Sequence, residues 1–125
     1  MKTFTLSEAN AALAELIPDL EKLQRHHHLL TSQREAAEAA SAAAESGGGG
    51  MALGTEYVNA LCELREITSA LDERGIEIKD FARGLIDFPS LRNGRLIYFC
   101  WQLGEGSEIR FWHEQDGGFA GRKPL

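Results

Sequence analysis

Leu6, Leu13 and Leu20 stand seven residues apart, and so do Ala9, Leu16, Leu23, Leu30, Ala37 and Ala44. Two such rows, offset by three or four residues, make one apolar seam along an α-helix. This repeat is the strongest constraint in the chain, because a seam that long needs a partner along its whole length. Thr5 with Glu8 three residues on forms a capping box at the helix start, with Phe4 placed to staple back on Ala9. Pro18 removes one ladder bond, to the Ala14 carbonyl, and predicts a kink rather than a stop. The helix is expected to continue through the alanine-rich stretch to Glu45, about 40 residues or ~60 Å.

Four glycines, Gly47 to Gly50, then break the pattern. A second helix is expected from about Thr55 to Arg74, with Val58, Leu61, Leu64 and Leu71 facing one way and Gly75 as its stop. Being shorter, it can cover only the part of the first helix from about Leu23 onward. Leu6, Leu13, Leu16 and Leu20 then need another partner, and the rest of the chain supplies it.

After Gly75 the apolar period changes from helical to alternating. Strands are expected at 76–80, at 84–90 ending on Pro89, at 95–103 and at 108–114, with turns at 92–94 and 104–107. Pairing Leu103 with Glu108 sets Cys100 opposite Phe111 and Tyr98 opposite His113. One face then carries Leu96, Tyr98, Cys100, Gln102, Ile109, Phe111 and His113. The other carries Ile97, Phe99, Trp101, Leu103, Glu108, Arg110 and Trp112. The 95–103 strand is apolar on both faces, whereas a half-wet sheet alternates. Its second face therefore needs a cover: the tail, another subunit or a ligand. The expected fold class is α+β, one domain over 1–125. A long antiparallel helical hairpin (1–75, glycine-rich connector 46–54) precedes a small antiparallel sheet and tail (76–125).

Composition narrows the function classes. Residues 1–75 hold six Lys/Arg against twelve Asp/Glu, while residues 76–125 hold seven of each. Phosphate binding needs clustered positive charge, which argues against nucleic acid. No apolar run approaches the ~20 residues of a membrane span, and Glu8 and Glu15 break up any leader-like stretch. Cys62 and Cys100 match no disulfide or zinc spacing, so a reducing compartment, the cytoplasm, is expected.

Several residue groups could carry chemistry. Cys100 and His113 share a sheet face, diagonal to each other, and a thiol beside an imidazole is the minimum for a nucleophile or half a metal site. A strand cysteine between Phe99 and Trp101 is, as a rule, core. Asp87, Glu105, His113 and Glu114 can form a carboxylate–histidine cluster, or else Asp87 pairs with Arg83 or Arg92. Trp101, Arg110 and Trp112 on the other face can form a stacking platform or interface anchor, or a structural cross-strand pair. Arg122, in a glycine-rich tail, can hold an anion. His26, His27 and His28 point about 100° apart on a helix and cannot chelate together, which leaves His27, in the heptad row, packed on the seam and the other two solvated.

FTLSEAN at the start, KD at 79–80, GLIDFP at 84–89, CWQLGE at 100–105, FWHE at 111–114 and GGFAGRKPL at the end together resemble a bacterial family, domain of unknown function 2203. The resemblance spans nearly the whole chain and implies a helical hairpin with a small sheet in a bacterial cytoplasm. It implies no activity and leaves any cofactor unknown. The residues favour a non-catalytic interaction or scaffold module that self-associates or binds a protein partner. The alternative is a small-ligand or metal-binding protein, possibly an enzyme, with its site around Cys100, Glu105 and His113.

Overall fold

The computed structural model describes residues 2–44 and 54–125. The glycine connector at 46–50 and the expected helix end at Glu45 lie outside the described residues, as do the side chains of Ala37 and Ala44. Helix α1 spans Leu6–Ala44 and runs through Pro18 rather than stopping there. Its start is the capping box read from the sequence. The Glu8 amide donates to Thr5 Oγ1 at 3.1 Å, and the Thr5 amide donates to Glu8 Oε1 at 2.9 Å. Phe4 meets Phe88 edge-on at 5.4 Å, so the entry to the helix is tied to the sheet.

Helix α2 spans Thr55–Glu73. Its inward stripe is Ala60, Leu64, Ile67 and Leu71, spaced by three and four residues. Val58, expected on that stripe, is 54% exposed. It precedes Ala60 by two positions, about 200° round the helix. The helix closes as a Schellman motif: the Gly75 amide donates to the Asp72 carbonyl and the Ile76 amide to the Leu71 carbonyl. Gly75 sits at φ +83°, where a side chain would also strike Lys2. Among the described residues no helix is long and apolar enough to cross a membrane.

Five antiparallel strands follow in sequence order: β1 Glu77–Asp80, β2 Leu85–Arg92, β3 Arg95–Trp101, β4 Phe111–Glu114 and β5 Lys123–Pro124. Asn93 (φ 52°) and Gly94 (φ 77°) form the two-residue turn between paired Arg92 and Arg95, the I′ geometry that an Asn-Gly pair favours. Strand β2 does not end at Pro89. It passes through, because β1 pairs no further along β2 than Asp87, and the Pro89 carbonyl instead accepts from the Phe4 amide at 2.8 Å. A residue's N and C=O point to the same side of a strand, so the missing proline donor falls on this open edge, where no ladder bond is lost.

Cys100 pairs with Phe111 and Tyr98 with His113, the register read from the sequence. The hairpin is shorter than expected: β3 ends at Trp101 and β4 begins at Phe111, so Leu103 and Glu108 do not pair. The reason is local. Trp101 Nε1 donates to the Gly106 carbonyl, and the Gln102 amide donates to Glu105 Oε1, which folds the chain back on itself. Ile109 therefore turns into the core instead of onto the Cys100 face, and its amide donates to Asn10 Oδ1 of α1.

The core lies between the hairpin and one sheet face. Ala9, Leu13, Leu16, Leu20 and Leu23 of α1, with Leu71 of α2, pack on Ile86, Phe88, Ile97, Phe99 and Trp101. The first half of α1 thus finds the sheet as its partner. Leu6, read as part of the seam, is exposed at its outer end. Trp101 is 1% exposed, whereas Trp112 is half-buried at the core margin. Trp101→Ala is expected to lower unfolding stability in urea by about 3–5 kcal/mol, and Trp112→Ala by clearly less.

Candidate metal centre

Committing Ile97, Phe99 and Trp101 to the helices sends Tyr98 and Cys100 to the opposite sheet face, because side chains alternate along a strand. The register then decides their neighbours. Asp87 of β2 pairs directly with Cys100, and His113 of β4 pairs with Tyr98, one step along. Asp87 and His113 sit on strands two spacings apart, so their side chains must reach over β3 to meet, and they do so above Cys100. His113 Nε2 stands 3.0 Å from Asp87 Oδ2. One ligand atom from each of Asp87, Cys100 and His113 lies within 4.8 Å of the others, and all three residues are buried, at 2%, 1% and 3% exposure.

Hydrogen bonding settles the imidazole. His113 Nδ1 lies 2.7 Å from the Glu114 carbonyl, which can only accept, so Nδ1 carries a proton. Nε2 and Asp87 Oδ2 then share a second one. The Tyr98 ring stacks on the imidazole at 5.3 Å. Gly117 passes close over it, where a side chain would meet His113 Cβ and the Glu114 carbonyl at 3.4 Å. Asp87 Oδ1 is buried with no hydrogen-bond partner among the described residues. Burial raises the Asp87 carboxyl above its ordinary range, opposed by His113 and the Cys100 thiol. Burial, then the Asp87 charge, push the Cys100 thiol up to about 12. Without a metal, Cys100 is a neutral thiol at ordinary pH, which does not suit it as a free nucleophile.

The three groups open on a cavity of about 310 Å³ bounded by Lys79, Leu85, Tyr98, Gln115 and Phe119. Its cover is the 115–122 segment, so the tail supplies the second-face cover. Arg122 holds this segment down: both Glu105 carboxylate oxygens accept from Arg122 Nη2 at 2.7 Å, and the guanidinium lies 4.0 Å from the Phe111 ring centre. Arg83 also stacks on Phe119, at 3.9 Å from the ring centre. A larger depression of about 730 Å³ lies beside Gln24, His27 and Thr31 on α1, where no group of three ligand atoms converges among the described residues.

Several sequence expectations change here. The anion that Arg122 holds here is the chain's own Glu105 carboxylate, while its buried Nε has no partner among the described residues. Glu105 is an anchor for the tail rather than a member of the Asp87–His113 cluster. Glu114 contributes its backbone carbonyl, while its carboxylate pairs with Arg95. Asp87 pairs with His113 and not with Arg83 or Arg92, whose guanidiniums lie over Phe119 and Trp112. The Trp101–Arg110–Trp112 platform does not exist, since Trp101 faces the helices and Arg110 lies outside the paired strands. His27 packs on Phe81 as expected, but His26 is not simply solvated and stands 3.2 Å from Glu63. The cavity walls Lys79, Gln115 and Phe119 were missed. Alternation along β1 from Glu77, which pairs with Asp87, would have flagged Lys79.

Fold and site define an α+β protein in which a helical hairpin backs a five-stranded meander, with a buried Asp–Cys–His group on the far face. The chain belongs to the family described as uncharacterised conserved protein (DUF2203), whose family model matches residues 2–125. Comparison with curated proteins and with solved structures gives no match.

The raised Cys100 thiol has a measurable consequence for stability. A folded-state value above the unfolded one contributes fully below pH ~9 and is lost as pH rises toward about 12. Metal-free protein should therefore lose stability between about pH 8 and 10.5 more steeply than Cys100→Ala, as read by urea midpoints. Parallel slopes would contradict the buried, neutral thiol.

Proposed function

We propose that the protein binds a divalent metal ion of the zinc class through Asp87, Cys100 and His113, with a fourth position open to the cavity. The observation that supports this best is the convergence of three different buried ligand atoms within 4.8 Å. Donors sharing a tetrahedral ion at about 2.0–2.3 Å stand about 3.3–3.7 Å from each other, so small side-chain adjustments suffice. The unpartnered Asp87 Oδ1 gives the carboxylate a reason to seek a cation. The Nδ1–H bond to the Glu114 carbonyl is the outer contact that metal-ligating histidines use to fix their tautomer. A carboxylate, a thiolate and a neutral imidazole balance a divalent charge, and that mixed donor set suits a borderline-soft ion such as zinc. Three protein ligands with an open position is the pattern of exchangeable rather than purely structural sites. A reducing cytoplasm suits a site whose thiol must stay free, and both cysteines are free thiols.

Binding has to displace the proton between His113 Nε2 and Asp87 Oδ2 and the proton on Cys100, so it releases protons. Calorimetric titration of chelator-stripped protein with zinc, in buffers of differing ionisation enthalpy, is expected to show stoichiometric binding with that release. Cobalt should give a near-ultraviolet thiolate charge-transfer band that Cys100→Ser abolishes. Failure of both ions to bind at micromolar concentration would overturn the proposal.

A further inference from the structure

We infer that the open coordination position receives a small carboxylate, one oxygen on the metal and the other held by Lys79 Nζ beneath the Phe119 ring. This rests on the metal reading above and assigns the ligand class for that same site. The cavity, at about 310 Å³, lies at the small end of ligand sites, room for a short-chain acid rather than a nucleotide or peptide. Its polar walls besides the metal ligands are Lys79, Tyr98 and Gln115; the Tyr98 hydroxyl is directed to Glu77, which leaves the N–H donors of Lys79 and Gln115 for the space above the metal. Lys79 spends one donor on Glu77 Oε1, at 2.8 Å, and keeps two. Donors on one side and a metal on the other ask for a ligand with two acceptor oxygens in a short fork, which a carboxylate presents.

Charge and wall chemistry select the carboxylate among oxyanions. The metal with Asp87 and Cys100 is neutral, and the Lys79 charge is partly spent on Glu77, so there is too little positive charge for a phosphate dianion. A monoanion is less costly to bring out of water. Leu85 and Phe119 form an apolar wall on which a short alkyl or small ring substituent packs. Arg122 turns its Nη2 to both oxygens of Glu105, and through that pair it keeps Phe119 in place as the roof. The tail is thus part of the binding site, and its aromatic side chain sets the size of the acid admitted.

The test uses full-length protein loaded with cobalt, whose visible absorption reports the metal's open position. Acetate, propionate and benzoate are titrated beside acetamide and inorganic phosphate. Saturable spectral shifts with a carboxylate, and none with acetamide, are the expected result. Lys79→Met should weaken carboxylate binding about tenfold while cobalt affinity and the thiolate band stay unchanged. Phe119→Ala should relax the size limit, with benzoate gaining relative to acetate. If cobalt binds stoichiometrically with its thiolate band and no carboxylate changes the visible spectrum, the inference is overturned and the metal reading stands. A shift with phosphate at lower concentration than any carboxylate overturns it too. If cobalt does not bind, the metal reading falls and this inference falls with it.

Discussion

The packing of Ile97, Phe99 and Trp101 on Leu13, Leu16 and Leu20 is the contact on which the rest of the molecule depends. It buries the apolar seam of α1 where α2 does not reach, and it removes large apolar surfaces from water on both sides. It also fixes the parity of β3. Once the odd positions of that strand are given to the helices, Tyr98 and Cys100 must face away, and a one-residue slip would invert the arrangement. The Asn93–Gly94 turn protects against such a slip from one end, because a two-residue turn leaves no slack in pairing Arg92 with Arg95. A hydrophobic choice on one side of the sheet thereby determines which polar groups meet on the other.

Those polar groups are costly to bury, and the structure answers most of that cost with pairing. His113 has partners at both nitrogens, and Asp87 has one at Oδ2. The remaining Asp87 oxygen has no partner among the described residues, and the protonated Cys100 lies beside the carboxylate and the imidazole. A site made only for stability has no need of them, since apolar residues of like size would serve. The bidentate Arg122–Glu105 pair, itself largely buried, belongs to the same construction, because it fastens the tail over this group.

Much of this was legible in the sequence, and the boundary of legibility has a physical form. The capping box, the glycine stop at Gly75, the Asn-Gly turn and the Cys100–Phe111 register depend on neighbours close in the chain and were readable. The two apolar faces of β3 correctly called for a second cover, which the tail provides. What failed were extrapolations of a period past the point where a tertiary contact overrides it. Alternation carried Arg110 and Ile109 into β4, yet the Trp101 indole bond to the Gly106 carbonyl and the Asn10 bond to Ile109 bend that stretch out of the ladder. Grouping Val58 with Leu61 and Leu64 fails because the helical period sets it about 200° from Ala60, on the exposed side of α2. The Asp87–Cys100–His113 group was half visible: Cys100 and His113 share a hairpin, but Asp87 joins them through the next strand pairing. Its choice of His113 over an arginine follows from burial, which spacing does not reveal.

The sheet edge at Pro89 carries a last consequence. Past Asp87, strand β2 has no neighbour from β1, and an unpaired edge is a surface on which a strand of another molecule can add. Here the edge is spent from within. Pro89 has no donor to offer, its carbonyl is taken by the Phe4 amide, and Ser90 Oγ donates to the Phe4 carbonyl. The start of the chain thus seals the end of β2 as a single rung of sheet, immediately before it enters α1. The same few residues that launch α1 also cover the end of β2, so losing them would remove the helix cap and uncover that strand edge together.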